Sequence, residues 1–187
     1  YDLSSFLFNN RLRGNDGVNL SENVFLFGSM SEFNYEKSSG SVFFLRNEKL
    51  EKVSDNSIPN SFIHINKFVL ISDSSKKIIY KHLADDGSLV DIWSDLTNGE
   101  GLPDGGCLAP DSSIYISSWG EGCINKFNIN GKLINKRKIN AKQPSNCKIF
   151  GNKLLITTAA AGLTDDDFLK YPDSYKINLE LQNGNLS

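Results

Sequence analysis

The chain has 187 residues, a net charge of −2 and 22% charged residues, which suits one domain with a substantial core. No basic block offers a nucleic-acid or anionic-membrane surface, and no apolar run approaches the ~20 residues of a bilayer span. Three cysteines, Cys107, Cys123 and Cys147, lie far apart without CxxC spacing. That pattern argues against a full disulfide framework or a zinc cluster and for reduced, structural thiols.

In chain order, four short runs start strong and end small and polar: Val24–Ser29, Phe68–Asp73, Ile114–Trp119 and Leu154–Ala159. Their first residues are 44, 46 and 40 positions apart, about the length of one propeller blade. A second strand is predicted after each of the first three, at Ser41–Leu45, Lys77–Lys81 and Cys123–Phe127. A third follows a hairpin signal, Asp86-Gly87 before Ser88–Trp93 and Asn130-Gly131 before Lys132–Lys136. Helical character is confined to Thr164–Lys170, where a threonine precedes three acids. The expected fold is all-β, with antiparallel blades in one domain spanning 1–187.

About eight to ten residues before each of the four runs stands a polar residue in a turn-forming context. These are Asn15 (Arg13-Gly-Asn-Asp-Gly17), Asn60 (Pro59-Asn-Ser61), Asp104 (Pro103-Asp-Gly105) and Ser145 or Asn146 (Pro144-Ser-Asn-Cys147). Equal phase in successive blades means equal height at one end of a propeller. Two readings fit these residues. They are hard oxygen donors for Ca²⁺, Mg²⁺ or Mn²⁺, or they are ordinary turn residues that bond their own backbone.

Other residues are read more simply. His64 and His82 lie outside the recurring phase, and His82, near a hairpin turn, is expected to be solvated. Asp165, Asp166 and Asp167 are expected to favour a helix N-terminus. Trp93 and Trp119 are expected to pack within blades.

Taken together the motifs resemble the senescence-marker-protein/gluconolactonase/luciferin-regenerating-enzyme family. They are Arg13-x-Asn15-Asp16-Gly17, Gly28-Ser-Met30, Pro59-Asn60-Ser-Phe62, Pro103-Asp104-Gly105, Ser117-Ser-Trp119-Gly-Glu-Gly122, Pro144-Ser145-Asn-Cys147, Thr157-Thr-Ala159 and Tyr171-Pro172. They follow one another in the family's order over roughly residues 10 to 175.

The resemblance implies a six-bladed propeller, of which about four blades are expected here as an incomplete ring. It implies one divalent metal ion (Ca, Zn, Mg or Mn), with Asn60 and Asp104 as ligands and Asp104 also as the catalytic base. Arg13, Asn15 and Glu32 are the implied substrate contacts. The implied reaction is metal-dependent hydrolysis of a small sugar lactone or related ester. A non-catalytic binding scaffold, or an inactive fragment, is the alternative. The family's third ligand, a glutamate upstream of the first residue seen, has no counterpart in the chain. Ser61 stands where the family usually has glycine. No nucleic-acid or membrane partner is expected, and a cytoplasmic location is, although the chain opens on Tyr1 and an upstream portion is expected to be missing.

Overall fold

The structure, a computed structural model, describes residues 11–31, 40–174 and 178–181. The chain divides into two compact units, Tyr1–Thr97 and Asn98–Ser187.

The first unit holds two four-stranded antiparallel sheets, each ordered as a simple meander. One comprises β1 (Leu12–Ser21), β2 (Val24–Ser31), β3 (Ser41–Arg46) and β4 (Lys49–Asp55). The other comprises β5 (Pro59–Ile65), β6 (Phe68–Asp73), β7 (Ile78–Leu83) and β8 (Leu89–Asp95). The second unit repeats the plan with β9 (Leu102–Leu108), β10 (Ile114–Trp119), β11 (Cys123–Phe127) and β12 (Leu133–Lys138). Its other sheet is β13 (Pro144–Phe150), β14 (Lys153–Thr158) and β15 (Asn178–Leu181). All four strand-like runs of the sequence are second strands of sheets.

Burial follows position within a sheet. The second strands β6 and β10 are buried along nearly their whole length, whereas β12 is mostly exposed. In the first unit Leu26, Val42 and Phe44 of one sheet pack with Phe62, Val69 and Ile71 of the next. Each such side chain contributes about 1.5–3 kcal/mol of burial free energy. In the second unit Tyr115 and Ile124 meet Cys147, Leu154 and Ile156. All three cysteines are buried free thiols, as expected. Trp93 is buried on β8 and Trp119 half-buried at the end of β10.

The hairpin signals carry the expected turns. Gly87 and Gly131 sit at φ 76° and 85°, open to glycine at little cost. Asn128 Oδ1 accepts the amides of Asn130 and Lys132, each at 3.0 Å, which closes the second turn. The short helix α1 (Asp165–Lys170) has Thr164 as N-cap. It forms a capping box with Asp167, so the acids serve the helix start. Among the described residues no helix is long and apolar enough to cross a membrane.

Candidate active site

The polar residues picked out by phase do not lie in free turns. Each stands on the first strand of its sheet, at or beside a β-bulge. On β1 the register breaks between Gly14 and Gly17, leaving Asn15 and Asp16 opposite a single residue. On β5 it breaks between Asn60 and Ile63. On β9 Pro103 pairs with Ser118 and Gly106 with Ile116, so Asp104 and Gly105 are the bulged pair. On β13 Ser145 is extra, between Pro144 and Asn146. The turn expected at Pro103-Asp-Gly105 is therefore corrected to a bulged strand. Its glycines serve close approach rather than a positive φ: a Cβ on Gly105 would meet the Asn146 side chain, and one on Gly106 the Tyr115 carbonyl oxygen. Bulges re-aim side chains, and each of the four first strands carries one.

Within the first unit these residues form a hydrogen-bonded chain. Arg13 Nη1 donates to Asn15 Oδ1 at 3.0 Å and to the Gly14 carbonyl at 3.0 Å. Asn15 Nδ2 donates across to the Pro59 carbonyl at 2.9 Å. Next to Pro59, the buried Asn60 donates through Nδ2 to Ser74 Oγ at 3.1 Å. That bond fixes the amide plane, and among the described residues none is made to its carbonyl oxygen. Ser74 is held in turn by its amide on the Ile58 carbonyl, 2.9 Å.

Two acids that sequence reasoning gave no role support this chain. Asp16 accepts the amides of Gly17, at 2.8 Å, and of Phe62 on the neighbouring sheet, at 3.3 Å. Burial raises its carboxyl above the ordinary range, opposed by bonds from the backbone of Gly17, Phe62 and Ser61. Asp73, fully buried on β6, accepts the Ser57 amide at 2.9 Å and pairs with Lys76 at 3.3 Å, fixing the approach to β5. Asp16 was visible as a motif member, but its partner lies 46 positions away. Ser61 adopts φ 51°, the left-handed region, which gives a physical reason for glycine at that point.

The second unit meets the same geometry with different side chains. Asp104 is half-buried and its Oδ1 accepts the Gly105 amide at 3.0 Å. Gly105 occupies the place of Asp16, and the Asn146 side chain fills the space where a Cβ would lie. Asn146 Oδ1 then accepts the Cys147 amide at 2.7 Å. Ser118, the partner of Pro103, donates to Glu121 Oε2 at 2.8 Å, and Lys136 pairs with Oε1 at 2.6 Å. Burial works to raise the Glu121 carboxyl, but Lys136 and Ser118 hold it below the usual range.

Arg13, Asn15 and Asn60 are thus brought together, while Asp104 belongs to the other unit. Glu32 lies outside the described residues. Asn60 offers an amide oxygen and Asp104 a carboxylate, donors that fit a hard divalent cation. Among the described residues no three His, Cys, Asp or Glu side chains gather as a metal cluster. His82 is a correction: it is buried rather than solvated, because its face of β7 turns into the core with Val69. Its Nδ1 bonds the Gly87 carbonyl at 2.9 Å.

Residues 5–160 match the model of the SMP-30/gluconolactonase/LRE-like region. No curated protein sequence matches the chain. Among solved structures, a calcium-binding regucalcin from Agrobacterium tumefaciens is similar at 23% identity and TM-score 0.82, over 97% of this chain and 66% of that one. A luciferin-regenerating enzyme is similar at 22% identity and TM-score 0.74, over 86% and 58%. A gluconolactonase from Xanthomonas campestris is similar at 21% identity and TM-score 0.62, over 77% and 53%. The likeness is one of fold, the β-propeller. The chain spans between about half and two thirds of the length of these three structures.

Proposed function

Because this chain belongs to the SMP-30/gluconolactonase/LRE-like family, we propose that it serves metal-dependent hydrolysis of a sugar lactone or related ester. The observation that carries this reading is the recurrence of a bulge at or beside Asn15, Asn60, Asp104 and Ser145. Side chains in bulges are aimed by backbone that neighbouring strands hold rigid, which is what positioning reactive groups requires.

Asn60 and Asp104 are the proposed holders of one divalent ion. Such an ion, when bound, polarises a carbonyl and acidifies a bound water. Asp104, as carboxylate, takes a proton from the attacking water as its oxygen bonds to the lactone carbonyl carbon. The ring C–O bond then breaks, and the departing oxygen recovers the proton from the Asp104 carboxylic acid. Arg13, with its guanidinium oriented by Asn15, offers planar donors to hydroxyl or carboxylate groups of the substrate. Glu32 is proposed as a further contact to substrate hydroxyls.

Calorimetric titration of Ca²⁺, Zn²⁺ and Mn²⁺ into the chain and into Asp104→Ala, followed by a lactone screen, tests the reading. Metal binding and turnover that the variant loses support it. Binding without turnover favours a ligand-binding scaffold. No binding by the folded wild-type chain refutes the metal assignment for this chain.

A further inference from the structure

At the end of the first unit away from Asn15 and Asn60, the same two sheets border an open depression of about 320 Å³. Leu20 and His64 lie five and four residues along β1 and β5 from Asn15 and Asn60, roughly 15 Å at about 3.3 Å per residue. Leu20, Val24 and Ala84 form its apolar wall, and Arg46, His64 and Lys67 bring nitrogen groups to it. Arg46 ends β3, and His64 and Lys67 flank the β5–β6 hairpin.

Arg46 is held ready. Its guanidinium lies 3.7 Å from the centroid of the Phe44 ring, and Nη2 donates to the Asp85 carbonyl. Its Nε is buried and has no hydrogen-bond partner among the described residues. A buried donor left unpaired is unusual. Lys67 Nζ rests over the Phe68 ring at 5.3 Å. Among the described residues the structure pairs no acid with Lys67 and no hydrogen-bond partner with the His64 ring. Asp85 also lines the cavity, and the neighbouring Asp86 carboxylate feels the Arg46 charge.

We propose that this cavity is a binding site for a small hydroxylated organic anion. Its phosphate or carboxylate group meets the Arg46 fork and the Lys67 ammonium, and His64 adds a ring N–H. A hydroxyl of the ligand donates to Asp85, and the carbon skeleton lies against Leu20, Val24 and Ala84. A fixed guanidinium suits a bidentate oxyanion, and a volume near 300 Å³ suits a small molecule. The site uses none of the residues proposed for hydrolysis.

The test is an NMR titration of the chain at low ionic strength with inorganic phosphate and, separately, glycerate, following the Arg46 Nε–H and His64 ring signals. Saturating shifts of both are expected, with Lys67→Gln weakening affinity about tenfold and Arg46→Gln abolishing the response. Asp104→Ala should bind as wild type does, which separates this site from the hydrolytic reading. Saturation by phosphate alone identifies a phosphate ligand, and by glycerate alone a carboxylate. No saturating shift with either anion, or unchanged affinity in Lys67→Gln, overturns the proposal.

Discussion

The Asp16 carboxylate accepts the Phe62 amide at 3.3 Å, joining a bulge on one sheet to the bulge on the next. Without it, buried amides at the second bulge lose their acceptor. Asp16→Ala is therefore expected to destabilise the chain by about 1–3 kcal/mol, read from urea unfolding. Asp16→Asn, which keeps an acceptor, should lose less. The pair also has a pH signature. The folded carboxyl titrates above its ordinary 3.8, so its contribution is full below that value and declines as pH rises through the folded pKa. Wild type should thus lose stability relative to Asp16→Asn as the acid ionises. A pH-independent difference between the two would refute the account.

Gly28 is opposite the first bulge, and a Cβ there would fall 2.5 Å from Pro59 Cγ of the next sheet. The proline ring is rigid and its residue buried, so relief requires the two sheets to part. Gly28→Ala is expected to cost roughly 1–3 kcal/mol and to lower the melting temperature. A melting temperature equal to that of wild type would show that the seam is looser than its geometry implies.

The second strands and hairpins were legible because alternation and Asp-Gly or Asn-Gly signals are local. Val24, Phe68 and Ile114 each start a strand where the pattern places one. The bulges were legible only as phase. Pro103-Asp104-Gly105 has the composition of a turn, and what makes it a strand is renewed pairing at Gly106 with Ile116, a long-range contact. His82 was misread for a related reason. Tyr80 and Lys81 beside it are both half-buried, so alternation along β7 does not reveal the inward face. That face is set by the neighbouring sheet, whose Phe44 and Val53 close on Gly87. Asn15 and Asn60, which share that phase, stand on neighbouring first strands, with Asn15 bonded to the Pro59 carbonyl beside Asn60. The seam role of Asp16 depends on which sheet lies alongside, which no local pattern encodes.

His82 makes a second pH prediction of opposite sign. The Gly87 carbonyl requires a donor, so Nδ1 carries the proton, and Nε2 is buried with no partner among the described residues. Burial lowers the imidazole below its ordinary 6.5, with the Gly87 bond opposing. A depressed folded pKa means stability that is complete above the unfolded value and lost as pH falls through the folded one. Between about pH 7 and about pH 5 the wild-type urea midpoint should fall more than that of His82→Leu, which cannot titrate. An NMR titration placing the folded imidazole at or above its ordinary value would contradict this.

Asp104→Asn separates fold from chemistry at the proposed base. Asparagine keeps an oxygen for the Gly105 amide, a 3.0 Å contact in the native bulge, so unfolding free energy should change by less than about 1 kcal/mol. The substitution removes the negative charge and the proton acceptor. If the lactonase reading holds, kcat should fall by about 10²–10⁴ at saturating metal, with weaker metal affinity beside it. Lower kcat with unaltered stability would assign Asp104 to the chemistry. Full turnover in a stable variant would place the base elsewhere, and a large loss of stability would make Asp104 chiefly a member of the bulge.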